Sequence, residues 1–195
     1  MAVIDLTRSG AILAGGQATR FGGRDKSALL VDGRSILDRQ IAALAPAVDD
    51  VVIVGGARAA VHDIVPGCGP LGGLHAALTA ARGEAVLLVA CDMPYLSTPF
   101  LAYLLSLTAG VDIVVPQTER GYHPLCAVYT RACLEPATAR LADRRLRMRE
   151  LVGSMRTRVV PIDEIRQFGD PDRLLANLNT PADYAGLETL QGHKL

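Results

Sequence analysis

The segment Leu13-Ala14-Gly15-Gly16-Gln17-Ala18-Thr19-Arg20-Phe21-Gly22-Gly23-Arg24-Asp25-Lys26 concentrates the residue types that hold phosphate. Its four glycines let backbone N–H groups approach an anion closely, and Arg20 and Lys26 add positive charge. Of twenty basic residues in the chain, eighteen are Arg; the two lysines are Lys26 and, in the terminal tail, Lys194. A lone Lys where Arg fills the other basic positions marks a site that wants a compact ammonium rather than a planar fork. A flexible Gly-rich turn would account for the glycines but not for the lysine. The loop is not a Walker A motif, because Lys26 follows Asp25 rather than Gly, and it is not G-x-G-x-x-G.

A second candidate is Asp92, which follows the apolar run Val86-Leu87-Leu88-Val89-Ala90-Cys91 and precedes Met93-Pro94. A carboxylate at the end of a buried strand suits a hard Mg²⁺ ion, which takes one or two carboxylates plus phosphate oxygens and water. An Asp turn cap before Pro is the plainer alternative. Gly67-Cys68-Gly69-Pro70-Leu71-Gly72 matches the dinucleotide fingerprint and has Asp92 twenty residues on. The segment before it is polar and broken by Pro66, and the fingerprint belongs to the first β–α turn, which here holds another loop. A nicotinamide cofactor is therefore not expected. There is no Gly-x-Ser-x-Gly, no His-Glu-x-x-His and no Cys/His cluster. His62, His75 and His193 read as surface or packing residues.

These residues need a frame. Short apolar runs at Ala11–Ala14, Val51–Val54, Ala85–Cys91, Ile113–Val115 and Arg158–Ile162 read as strands, with a further short strand near Ala60–His62 and an apolar segment at Leu125–Tyr129. Ser35 can cap a helix with Ile36, Leu37, Ile41 and Leu44 on one face. Helices are also expected over Pro70–Arg82, after a Thr98 cap with Pro99 in the first turn, within Arg131–Leu151, and after a capping box at Thr180–Asp183. Strand–helix alternation predicts one domain over 1–195, a three-layer α/β/α sandwich with a mostly parallel, Rossmann-like sheet. Ligands then bind beyond the carboxyl ends of the strands, and Ala85–Cys91 reads as a central parallel strand.

Composition excludes several classes. Twenty acidic residues balance the twenty basic ones, so no net charge draws the chain to nucleic acid or acidic lipid. Aromatics are 4% and Trp is absent, which disfavours a stacking platform for single strands. No apolar run reaches the roughly 18 residues of a membrane span, and the first residues lack a secretory pattern. Cys68, Cys91, Cys126 and Cys133 form no C-x-x-C pair; they read as small thiols in a reducing cytoplasm, against a metal or disulfide framework.

Leu-Ala-Gly-Gly…Arg-x-Gly-Gly-x-Asp-Lys, then Pro-Gly-x-Gly-Pro-Leu-x-Gly, then Cys-Asp-Met-Pro resemble the molybdenum cofactor guanylyltransferases of the MobA type. His123-Pro124 and Asn177-Leu178-Asn179-Thr180-Pro181 extend the resemblance over almost the whole chain. The resemblance implies transfer of GMP from Mg-GTP to the phosphate of molybdopterin, with Mg²⁺ as cofactor and pyrophosphate as by-product. It implies that Leu13, Ala14, Gly15 and Gly16 contact the nucleotide, together with Asp63, Gly69, Pro70 and Leu71. Lys26 would hold phosphates, Arg20 would assist, and Asp92 would hold the metal. His123, Pro124, Asn177 and Asn179 would face the acceptor. Residues of about 1–110 would then serve the nucleotide and those of about 111–195 the acceptor, with transient contacts to proteins that deliver the cofactor or receive it. One departure stands out: the family often has a polar Asn after the second strand, where this chain has Val54-Gly55-Gly56.

Other readings remain open on these residues. They include a nucleotidyltransferase using CTP or a sugar phosphate, and a non-catalytic nucleotide-binding protein. Arg140, Arg144, Arg145, Arg147 and Arg149 form either a solvated helix face or an acceptor-docking segment. If Asp143 caps a new helix, Arg144 and Arg145 fall in its first turn, where the dipole disfavours cations and an anionic partner would offset the cost.

Overall fold

The computed structural model describes residues 7–14, 28–56, 58–61 and 67–178. β1 (Arg8–Leu13) is buried along nearly its whole length. A small hairpin of β2 (Leu30–Val31) and β3 (Arg34–Ser35) follows. It turns at Asp32-Gly33, both at positive φ, as tight two-residue hairpins require. Ser35 caps α1 (Ile36–Leu44), accepting from the Asp38 N–H at 3.1 Å. Its buried face is Ile36, Leu37, Gln40 and Leu44. Ile41, also expected on this face, is half-buried and packs on the same core, and the reason that polar Gln40 is buried beside it lies in the site described below.

β4 (Asp50–Val54) ends at Gly55-Gly56. The short strand expected near residue 60 is a single bridge, Val61 to Val54. α2 (Gly69–Ala80) then leads to β5 (Ala85–Ala90). α3 (Thr98–Ser106) has Ser97 rather than Thr98 at its cap position. The Thr98 hydroxyl instead donates to the Ala43 carbonyl at 2.9 Å, tying α3 to α1. The rest is β6 (Ile113–Thr118), β7 (Gly121–Tyr122), β8 (Cys126–Thr130), α4 (Leu134–Ala142), α5 (Met148–Ser154), β9 (Thr157–Val160), α6 (Ile162–Ile165) and α7 (Pro171–Leu174). β9 stops before Pro161, which occupies the α6 cap position. The capping box at 180–183 lies outside the described residues.

The seven-stranded sheet runs β4-β1-β5-β8-β6, with β7 and β9 also paired to β6. β1 is parallel to β4 and β5, and β9 is parallel to β6, while β8 is antiparallel to both β5 and β6. The sheet is therefore mostly parallel, but β5 has a parallel neighbour on one side only. An apolar run reports cover on both faces, not the direction of the next strand. Alternate residues of β5 serve opposite layers. Val86 and Leu88 pack with α2, α4 and α5, through Leu71, Leu78, Leu141 and Leu151. Leu87 and Val89 pack with α1, α3, α6 and α7, through Leu44, Phe100, Ile165 and Leu174. Three layers result. No helix among the described residues is long and apolar enough to cross a membrane.

Candidate functional site

The carboxyl ends of β1, β4 and β5 are laced together by main-chain bonds. The Ala14 N–H donates to the Val54 carbonyl at 2.9 Å, and the Cys91 N–H to the Leu13 carbonyl at 3.0 Å. Leu13 and Ala14 are nearly buried, so their main chain rather than their side chains fixes where the glycine loop leaves the sheet. Gly15, Gly16, Arg20 and Lys26 lie outside the described residues, as do Asp63 and Asn179. Gly56 closes the neighbouring edge at φ +79°, and a Cβ there would sit 2.9 Å from the Ala14 carbonyl oxygen. Only glycine fits that approach. The Val54 side chain is buried in the core facing α2, so it brings no polar group to this edge.

α2 approaches the same edge from the β4 side. Gly69, at φ +57°, and Pro70 are exposed, whereas Leu71 is fully buried in the core. A Cβ on Gly73 would meet Leu13 Cδ2 at 2.9 Å, so this glycine lets the helix lie close on the end of β1. Leu71 thus acts by packing, and of the three predicted residues Gly69 and Pro70 are the ones that face solvent.

Asp92 is half-buried in the turn after β5. The turn is held on all sides. The Leu178 N–H donates to the Asp92 carbonyl at 2.8 Å. Buried Gln40 of α1 donates through Nε2 to the carbonyls of Ala90 and Met93. Arg39 Nε donates to the Pro94 carbonyl at 3.1 Å. Burial of Gln40 on the apolar face of α1 is thereby explained: it satisfies carbonyls that the strand end leaves open. Sequence reasoning missed it, because one polar residue on a helix reads as surface.

On the far side of the turn, the β7–β8 chain bulges. Gln117 pairs with Tyr122, and Val114 pairs with Val128. From Gln117 to Val114 is three steps along β6 and from Tyr122 to Val128 six along the returning chain, so three extra residues are held between Tyr122 and Val128. The bulge is pinned at both ends: His123 N–H to the Pro116 carbonyl at 2.9 Å, Ala90 N–H to the Leu125 carbonyl at 2.8 Å. The fully buried Tyr129 donates its hydroxyl to the Pro124 carbonyl at 2.7 Å. Such bulges re-aim side chains next to sites. Here they form a cavity of about 210 Å³ lined by Met93, Tyr122, His123, Pro124, Leu125, Cys126, Arg149 and Asn177. Three of the four residues expected at the acceptor thus line one cavity with Met93, the residue after Asp92.

His123 Nε2 lies 2.8 Å from Thr118 Oγ1. Burial, then the charges of Arg120 and Arg149, pull its pKa below the usual 6.5, so the imidazole is neutral at pH 7. Burial pushes the Cys126 thiol, on the same wall, up to about 12. No disulfide joins any of the four cysteines. A larger recess of about 320 Å³, between Arg39, Tyr95 and Arg173, is lined by none of those predicted site residues that are among the described residues.

The basic segment departs from expectation. Asp143 ends α4 rather than starting a helix, and Arg144 follows at φ +57°. The Arg145 N–H bonds back to the Arg140 carbonyl at 2.8 Å, and Arg144 to Leu141 at 3.2 Å. This is the Schellman closure, which satisfies the last carbonyls of the helix. Arg144 and Arg145 therefore follow a helix C-terminus, where cations are favourable. Arg140 is buried against Glu150 and Ser154. Arg149 alone of the five lines the cavity.

Comparison with known proteins bears on what this arrangement does. The model of the MobA-like NTP transferase domain matches residues 10–159. The "Molybdenum cofactor guanylyltransferase" of Desulfosudis oleivorans is 34% identical over 182 residues, covering 88% of this chain and 90% of that protein. The "Probable molybdenum cofactor guanylyltransferase" of Pelotomaculum thermopropionicum is 33% identical over 187 residues, covering 91% and 90%. The crystal structure of molybdopterin-guanine dinucleotide biosynthesis protein A from Archaeoglobus fulgidus superposes with a TM-score of 0.80 over 94% of this chain and 98% of that one. At 21% identity it shows a shared fold. Family model and curated relatives agree over most of the sequence, and the chain belongs to the MobA-like NTP transferases, a family of nucleotidyltransferase enzymes.

Proposed function

We propose that the protein transfers GMP from GTP to the phosphate of molybdopterin. An acceptor phosphate oxygen attacks the α-phosphorus of GTP, the bond from that phosphorus to the β-phosphate oxygen breaks, and pyrophosphate leaves. The supporting observation is the position of the Asp92 turn. Cys91 is bonded to the Leu13 strand end that carries the glycine loop, and Asp92 to Leu178, next to Asn177 in the His123 cavity. On this reading one turn joins the edge that takes the nucleotide to the cavity that takes the acceptor, the juxtaposition that transfer between two bound substrates needs.

On this reading Leu13, Ala14, Gly15, Gly16, Asp63, Gly69 and Pro70 hold the nucleotide, with Leu71 supporting the helix start. Lys26 and Arg20 neutralise its phosphates. His123, Pro124, Asn177 and Asn179 receive the acceptor. The chain works as one domain in which both parts contribute to the junction, and it meets the proteins that supply or take the cofactor only transiently, in the reducing cytoplasm.

The residues also fit Mg²⁺. Among the described residues no group of three or more His, Cys, Asp or Glu could cage a metal. Asp92 would be one carboxylate donor, with phosphate oxygens and water as the others, the environment Mg²⁺ prefers. Bound there, Mg²⁺ supplies charge neutralisation at the phosphates. The chain's own part is positioning and electrostatics, without a covalent intermediate.

The base is tested by thermal shift with GTP, CTP, ATP and UTP at matched Mg²⁺. GTP should bind at least about tenfold more tightly than CTP or ATP, about 1.4 kcal/mol. Equal stabilisation by GTP and CTP would contradict the guanine assignment.

A further inference from the structure

The arginines of residues 140–149 are differently engaged. Arg140, Arg145 and Arg147 converge on the Glu150 carboxylate at 3.3, 3.6 and 3.8 Å. Arg144 lies 3.8 Å from Cys68 Sγ. Arg149 has no carboxylate within 4.0 Å among the described residues. It crosses instead to the β6–β7 turn, where Nη2 donates to the Arg120 carbonyl at 3.2 Å. A Cβ on Gly121 would lie 3.2, 3.4 and 3.6 Å from its Nη2, Cζ and Nη1. The guanidinium is thus seated over a residue whose φ of +97° and missing side chain both suit glycine.

Seated there, Arg149 lines the cavity with Tyr122, His123 and Asn177. Among the described residues it is the one formal cation of that wall, because burial and the neighbouring arginines pull the His123 pKa down and favour its neutral form. A guanidinium carries five N–H donors, and only one of these bonds within the described residues. A planar, preorganised fork with spare donors is the side chain that matches a phosphate edge.

We infer that Arg149 recognises the acceptor, binding an oxyanion of a phosphorylated acceptor in the cavity between His123 and Asn177. The inference deepens the guanylyl-transfer reading and rests on it. It also separates Arg149 from its neighbours in sequence, which serve the α4–α5 joint.

The test measures GMP transfer against acceptor concentration, using purified molybdenum cofactor, for wild type, Arg149→Ala, Arg149→Gln and Arg149→Lys. GTP affinity is titrated in parallel. Arg149→Gln keeps an N–H donor for the Arg120 carbonyl and removes the charge, so it holds the fold if truncation does not. Both neutral variants should raise the acceptor KM about tenfold or more, with GTP affinity within about twofold of wild type. Arg149→Lys should recover part of the loss. Wild-type acceptor KM should rise with salt, and that rise should flatten in Arg149→Gln, which a purely structural role would not produce. An acceptor KM within about twofold of wild type in Arg149→Gln, beside an active wild type, overturns the assignment. A wild type that binds GTP but transfers nothing to the cofactor overturns the guanylyl-transfer reading itself, and the Arg149 assignment with it.

Discussion

On the proposed reading Asp92 and Lys26 serve the same phosphates, and in the sequence one follows an apolar run and the other ends a glycine-rich segment. Asp92 stands out in the sequence because it directly follows a fully apolar run, where a turn cap and a metal ligand are the two roles open to it. Lys26 stands out by scarcity, as the lone lysine outside the tail among eighteen arginines, and it lies outside the described residues. Its ammonium should contribute a charge-assisted contact of roughly 1.5–3 kcal/mol. Lys26→Ala should then weaken GTP binding or slow transfer by roughly ten- to two-hundredfold. Lys26→Arg is the sharper variant, since Arg is longer and planar where the glycine loop wants a compact charge. It should fail to rescue; near-wild-type transfer by Lys26→Arg would show that charge alone matters there. Arg149 was not legible as an individual. Five arginines in ten residues look alike until the fold sends three to Glu150 and one to Gly121.

Two elements position the chemistry. The α1 helix clamps the Asp92 turn through Gln40 and Arg39, and the bulge at His123-Pro124-Leu125 opens the cavity. Gln40→Leu keeps the volume but leaves the carbonyls of Ala90 and Met93 without this donor. It should cost about 1–3 kcal/mol of stability and reduce transfer by about tenfold at saturating substrates, measured by denaturant unfolding and turnover. Unchanged stability and turnover would show that the clamp is dispensable. The bulge could not be read from residue pattern, because it arises from a register mismatch between β6 and its returning partner. Ser35 at the start of α1 and the extent of β5 were readable, since capping and an unbroken apolar run are local signals. The Arg144-Arg145 expectation failed because Asp143 suits either end of a helix by type, and only the Schellman bonds decide.

At the scale of the molecule, three layers and a mostly parallel sheet follow from the strand–helix alternation. The antiparallel β8 between β5 and β6 does not, because strand order is set by pairings far apart in sequence. At the distal edge, where β9 pairs with β6, buried Asp112 accepts from Arg156 Nε at 3.0 Å and Nη2 at 2.7 Å, and from its N–H at 3.1 Å. These bonds hold the Asp112 carboxyl below its ordinary value of 3.8. A carboxylate depressed in the folded state stabilises above its unfolded pKa and loses that contribution as pH falls through the folded one. Acid unfolding profiles should therefore show this loss only below about pH 4, and Asp112→Asn should remove that part of the pH dependence while lowering stability at pH 7. A parallel acid profile for Asp112→Asn and wild type would exclude the pair as its source. On the proposed reading the sheet edge at Asp92 joins a nucleotide site to an acceptor site. The most direct test of that reading follows the label of α-phosphate-labelled GTP into purified molybdenum cofactor, with Mg²⁺, for wild type and Asp92→Ala. Losing several kcal/mol of transition-state charge stabilisation corresponds to about a thousandfold in rate. Wild type should pass label to the acceptor with one pyrophosphate released per transfer, and a folded Asp92→Ala should retain about a thousandth of that rate; label remaining in GTP with wild type, or more than a tenth of the rate surviving in Asp92→Ala, would contradict the account.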